Sequence, residues 1–253
     1  MKRNGMKEKL RAGEPVFGVS VMIPSPQIVE MIGAAGFDWV LLDCEHGTLT
    51  LESVELMAMA AEACGITAIA RPATRSPEHI LQVLDRGVMG VQVPHVNTAE
   101  DAREVIAAVK YHPLGRRGLA AGTRAAAYDS HGTLAEYVQA ANEATLIAVQ
   151  LEEQAAIDNI DELLKVEGID VFFIGPSDLS QSMGHPGNPK APVVAEAIES
   201  SFRKMLAAGR TPGTPASPEN VREVLRKGVR YIYTHLPRLL SGSARDYLKS
   251  ARG

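Results

Sequence analysis

Eight short apolar runs, each separated from the next by sequence with helical spacing, constrain this chain more than any other feature. The runs cover residues 16–22, 39–43, 67–72, 90–94, 145–152, 171–176, 210–215 and 230–235, with 210–215 the weakest. They are continuously apolar rather than alternating, the pattern of strands buried on both faces of a parallel sheet. Helix signals recur between them. Ser25 can cap and Gly36 can terminate a helix, and Thr98 stands before Asp101 at capping-box spacing. Helical patterns also cover 51–64, "SPEHILQVLDRG", "GTLAEYVQAANEA", "EQAAIDNIDELLKV", 192–208, 217–227 and the C-terminal tail. Eight βα units in 253 residues match the size of a (β/α)8 TIM barrel. A doubly wound open sheet would need a reversal of strand order, and no GxGxxG follows the first run. With no linker in view, residues 1–253 read as one domain.

In a barrel of this kind the active site lies at the C-terminal ends of the strands. Polar residues mark those ends here. Asp43, Glu45 and His46 follow the second run, Arg71 the third, and His95 the fourth. Gln150 and Glu152 end the fifth, and "GPSDLS", with Pro176, Ser177 and Asp178, ends the sixth. Each has a plainer reading as a cap or a surface residue. Glu45 alternates away from Asp43 and His46 and reads as a loop anchor, Cys44 as a small apolar filler, and His95 and His185 as hydrogen-bonded loop residues. The coincidence at one end of successive strands carries the argument.

Composition removes several function classes. The formal net charge is −4 with a pI near 6.0, and no basic run suggests nucleic acid as a partner. Cys44 and Cys64 form no framework, which suits a reducing cytosol. The N-terminus has neither a secretory h-region nor a membrane span, so a cytoplasmic, soluble protein is expected.

Glu152 and Asp178 together make a hard oxygen site for Mg2+ or Mn2+. An arginine beside it suits an anionic substrate whose charge grows during reaction. A His–Asp pair suits proton transfer. The combination fits enolate formation next to a carbonyl. The competing route, a Schiff-base lysine, lacks a candidate: none of the nine lysines, Lys2 included, ends an apolar strand.

The segments "FDWVLLDCEHG", "IARP", "LDRGVMGVQVPHVNTAEDA", "HPLGRRG", "VQLEE" and "GIDVFFIGPSDLSQSMGHPGNP" resemble the HpcH/HpaI family of class II pyruvate aldolases. The resemblance implies a barrel aldolase dependent on Mg2+, Mn2+ or Co2+, binding pyruvate through its keto and carboxylate oxygens. It makes Glu152 and Asp178 the metal ligands, His46 with Asp43 the catalytic dyad, and Arg71 the arginine on the keto or enolate oxygen. It sets Gln150 beside the metal and the backbone around Pro176 and Ser177 at the substrate carboxylate. Asp85 would reach a neighbouring subunit's active site. A homohexamer built as a trimer of dimers, with the C-terminal helix exchanged between subunits, is also implied. The last third departs from the family pattern at Thr214, Thr234 and His235, so the resemblance does not fix the acceptor, and Thr214 is expected among the substrate-binding residues.

The expected activity is reversible cleavage of 4-hydroxy-2-oxo acids to pyruvate, or hydroxypyruvate, and an aldehyde. A CoA-thioester lyase of the citrate lyase beta or malyl-CoA type is the alternative, but no basic patch is present for CoA phosphates. A non-catalytic binding subunit has no need of Asp43, His46, Arg71, Glu152 and Asp178 together.

Overall fold

The apolar runs become eight parallel strands because each is buried along nearly its whole length. The computed structural model describes residues 3–130 and 132–252, so Lys2 lies outside the described residues. The strands are β1 (Val16–Val21), β2 (Trp39–Asp43), β3 (Thr67–Arg71), β4 (Gly90–Val93), β5 (Leu146–Leu151), β6 (Val171–Ile174), β7 (Pro212–Pro215) and β8 (Tyr231–His235). They close in sequence order, β8 returning beside β1 with His235 opposite Ser20. The fold is a (β/α)8 TIM barrel.

Among the described residues twelve α-helices accompany the strands. They are α1 (Gly5–Arg11), α2 (Pro26–Ala34), α3 (Leu51–Ala63), α4 (Pro77–Asp85), α5 (Ala99–Val109) and α6 (Leu134–Ala144). The remainder are α7 (Gln154–Asp158), α8 (Ile160–Leu163), α9 (Pro176–Ser182), α10 (Pro192–Ala207), α11 (Val221–Arg226) and α12 (Leu236–Arg252). Ser25, Thr50, Ser76, Thr98 and Thr133 each accept a backbone N–H three residues on, so polar residues set where these helices start.

Among the described residues three buried apolar clusters result. The largest lies between strands and helices, a second fills the barrel lumen with Val16, Trp39, Leu41, Ile69, Phe173 and Tyr231 among others, and a small third joins Tyr111, Ala126, Tyr137 and Ala141. Gly18 makes the lumen possible, because a Cβ there would sit 2.3 Å from the Trp39 ring. Met6 and Leu10 of α1 join the lumen cluster and close the barrel end opposite the strand termini. The helix is tied down by Asn4, which donates to the Met89 and Ala144 carbonyls, and by Lys7, which pairs with Asp170 at 2.9 Å.

The structure refines three sequence expectations. The pattern at 153–166 is two short helices broken at Asn159, whose Nδ2 donates to the Asn97 carbonyl at 3.1 Å. The loop after β6 contains α9. The tail forms one 17-residue helix with no fully buried residue: Leu236 and Leu239 touch the barrel, while Leu240 and Tyr247 are 70% and 74% exposed.

Candidate active site

The turn after β2 begins with Asp43, whose Oδ1 accepts the backbone N–H groups of Glu45 (3.1 Å) and His46 (3.2 Å). Gly47 closes the turn because the chain folds back on itself there. A Cβ would lie 2.2 Å from the Asp43 carbonyl oxygen and 3.0 Å from the Met22 Cα. In register with Asp43 on β3, Arg71 donates to both its oxygens, Nε to Oδ1 at 3.0 Å and Nη2 to Oδ2 at 2.5 Å. Both side chains are buried. Burial works against charge on Asp43, but the guanidinium and the two backbone donors outweigh it, so the carboxyl is held below its usual range. Burial likewise opposes charge on Arg71, and Asp43 overcomes it, raising the guanidinium's pKa.

Glu45 links this pair to the other side of the mouth. Its Oε2 lies 3.1 Å from Arg71 Nη1, an ion pair without hydrogen-bond alignment. Its Oε1 lies 3.2 Å from His95 Nε2. His95 follows β4 in the left-handed region, at φ 55°, a conformation that non-glycine residues adopt rarely and that clusters at functional sites. This conformation lets its backbone N–H donate to Glu152 Oε1 at 2.9 Å while its ring Nδ1 stands 3.0 Å from Glu153 and 3.4 Å from Glu152. Partial burial disfavours the imidazolium, yet Glu152, Glu153 and Glu45 together raise its pKa. Glu152 is 1% exposed. Burial raises its pKa against the hydrogen bonds from Gln150 and the His95 backbone.

Glu45, His95 and Glu152 thus offer two carboxylates and an imidazole with ligand atoms all within 4.8 Å of one another. Oxygen and imidazole donors in surplus negative charge fit a divalent cation. Cys44, next to Glu45 in the chain but packed against the outer core, has its thiol pushed up to about 12, chiefly by burial.

The expected residues fall into place unevenly. Asp43, Arg71, Gln150 and Glu152 are brought together. The expected side-chain pairing of His46 with Asp43 is not formed: Arg71 occupies both Asp43 oxygens, and the imidazole projects outward, 54% exposed and 3.9 Å from Glu45. Asp178 sits exposed in the first turn of α9, outside the Glu45–His95–Glu152 cluster. Pro176 and Ser177 open that same turn. Gly175 packs against Glu152, where a Cβ would meet it at 3.1 Å. Thr214 shares its register with Ile232 of the outer core, and its hydroxyl donates to the Ile174 carbonyl at 3.1 Å. That commits it to the strand seam rather than the lumen. Asp85 ends α4 at the far end of the barrel and pairs with Arg117 at 2.8 Å, so it cannot serve the mouth of its own barrel. Among the described residues no lysine ends a strand.

Glu45 and His95 are the members that sequence reasoning read as loop residues. Both follow a strand end, which is the signal that finds them.

The model for the family described as HpcH/HpaI aldolase/citrate lyase matches residues 17–233. The chain is 36% identical to the 2-keto-3-deoxy-L-rhamnonate aldolase of Escherichia coli K12 over 96% of this chain and 91% of that protein. It resembles the crystal structure of an HpcH/HpaI aldolase/citrate lyase family protein from Burkholderia cenocepacia J2315, with TM-score 0.93 and 28% identity over 99% of this chain and 100% of that one. An HpcH/HpaI aldolase from Desulfitobacterium hafniense DCB-2 superposes with TM-score 0.89 and 29% identity, covering 97% and 96%.

Proposed function

The chain belongs to the HpcH/HpaI aldolase/citrate lyase family and is a class II pyruvate aldolase, and from this premise we propose that it reversibly cleaves 4-hydroxy-2-oxo acids of the 2-keto-3-deoxy type. The products are pyruvate, or hydroxypyruvate, and an aldehyde. The observation that carries this reading is the buried Glu152 carboxylate, gathered with Glu45 and His95 at the strand ends beside the buried Arg71.

Glu152, with Asp178 from the first turn of α9, would hold the divalent metal, and Glu45 and His95 stand beside Glu152 as further donors. A cation there supplies the electrophile that polarises the 2-oxo carbonyl. Arg71, kept charged and immobile by Asp43, faces the oxygen on which negative charge develops. In the synthetic direction His46 takes a proton from C3 of pyruvate, directly or through water. The enolate carbon attacks the aldehyde carbon, and the new C4 oxygen receives a proton, so cleavage is the same sequence reversed. Gln150 supports Glu152, and the first turn of α9 around Pro176 and Ser177 receives the substrate carboxylate with unpaired N–H groups.

Assembly belongs to the same reading. Asp85 has no route to its own mouth, and α12 leaves apolar residues uncovered, which supports a homohexamer with α12 exchanged and Asp85 serving a neighbour. Among the described residues no helix is long and apolar enough to cross a membrane.

Chelation should abolish turnover, and Mg2+, Mn2+ or Co2+ should restore it. Glu152→Ala and Asp178→Ala should each weaken Mn2+ binding, the second more than His95→Ala if Asp178 is a ligand. Full turnover in excess chelator, or trapping of pyruvate on the protein by borohydride, would overturn the reading.

A further inference from the structure

Beneath the mouth, the lumen contains a chain of hydrogen bonds that crosses three strands. Tyr231 on β8 donates its hydroxyl to Gln92 Oε1 on β4 at 3.0 Å. Gln92 Nε2 donates to Gln150 Oε1 on β5 at 2.5 Å. Gln150 Nε2 then donates to Glu152 Oε2. Tyr231, Gln92, Gln150 and Glu152 are each at most 1% exposed, so water cannot replace a missing partner. The phenol itself is fixed by Trp39, whose ring centroid lies 4.3 Å away, and by the edge of Phe173 at 6.0 Å.

The direction of this chain is not arbitrary. A carboxylate only accepts, so Gln150 must turn its NH2 toward Glu152 and its oxygen toward Gln92. Gln92 must then present its NH2 to Gln150, leaving its own oxygen facing the phenol. Only a donor can stand at that end. If the Tyr231 hydroxyl were absent, the Gln92 oxygen would lose its donor, and the Tyr233 hydroxyl, which also interacts with Gln92, and Gln150 would be left to hold the amide against a flip. A flip would force Gln150 to flip as well and set its oxygen against the Glu152 carboxylate.

Resting on the metal-aldolase reading, we infer that Tyr231 and Gln92 are positioning residues for the metal site, fixing the orientation of the Glu152 carboxylate through Gln150. Neither touches the cluster directly. A partner bonded directly to a ligand, here Gln150, weakens metal binding by about 10–100-fold when lost, so Gln92 and Tyr231, one and two links further back, act at the lower end of that range.

Mn2+ binding to the full-length protein, followed by the electron paramagnetic resonance signal of the free ion, tests this without reference to turnover. Tyr231→Phe keeps the ring and removes only the hydroxyl, and it should raise the Mn2+ Kd by up to about tenfold. Gln92→Met should do the same, and the double variant should bind no more weakly than the weaker single one, because both break one chain. Ile69→Val removes a methyl group from the same lumen without touching the chain and should leave the Kd unchanged. A Tyr231→Phe Kd within about twofold of wild type overturns the inference. So does an Ile69→Val effect as large, or multiplicative effects in the double variant. Failure of the wild-type protein to bind Mn2+ sinks the metal reading and this inference with it.

Discussion

Asp43→Asn tests the pair on which the mouth of the barrel is built. The substituted side chain would retain an oxygen for the Glu45 and His46 backbone donors and for Arg71 Nε. Its new NH2 would face Arg71 Nη2, two donors where a 2.5 Å charged hydrogen bond now stands. Losing a charge-assisted bond costs about 1.5–3 kcal/mol, and stranding one member of a buried ion pair costs about 3–5 kcal/mol in all. Glu45 Oε2 remains 3.1 Å from Nη1 and offsets part of the stranded charge, which places the expected loss near the lower end, about 3 kcal/mol. The sole tryptophan, Trp39, is fully buried in the lumen, so urea unfolding followed by its fluorescence reads the change directly. The pH dependence adds a second signature. Because Asp43 titrates below its ordinary value of 3.8 when folded, its contribution is full above that value and is lost as pH falls through the depressed one. The Asp43→Asn variant should flatten that acid limb. A loss under about 1 kcal/mol at neutral pH, or an unchanged acid limb, would refute the argument.

At the opposite end of the barrel, Lys110 donates to the Asn142 carbonyl at 2.6 Å and the Thr145 carbonyl at 2.8 Å. Burial, with Lys7, Arg11 and Arg117 nearby and Asp170 opposing them, brings its pKa down to about 7. Between that value and 10.5 the unfolded chain binds a proton the folded one lacks, so stability should rise with pH. Lys110→Met should remove that slope, changing its stability relative to wild type by about 2–3 kcal/mol between pH 6 and 9, and parallel curves would contradict the assignment. Truncation after Pro237 removes most of α12 and should reduce the oligomer in sedimentation. An unchanged sedimentation coefficient apart from the lost mass would place α12 on its own barrel instead.

The amino-acid sequence determined the barrel itself. Continuous apolar runs can be buried only between two covered faces, and polar caps start the helices that supply one of them. It also marked the end at which the polar residues gather, because they stop the runs at Asp43, Arg71, Glu152 and Asp178. The tertiary structure alone decided who meets whom. Asp43 binds Arg71 because β2 and β3 pair in that register, leaving the His46 imidazole outside. Glu45 reaches His95 because the Gly47 turn and the left-handed backbone at His95 aim both side chains at Glu152. Nor does "GVQVP" announce that Gln92 closes a polar chain from Tyr231 to the mouth. Local periodicity reports which face of an element is buried. It is silent on contacts such as Gln92 with Tyr231, 139 residues apart, which exist only once the sheet has closed on itself.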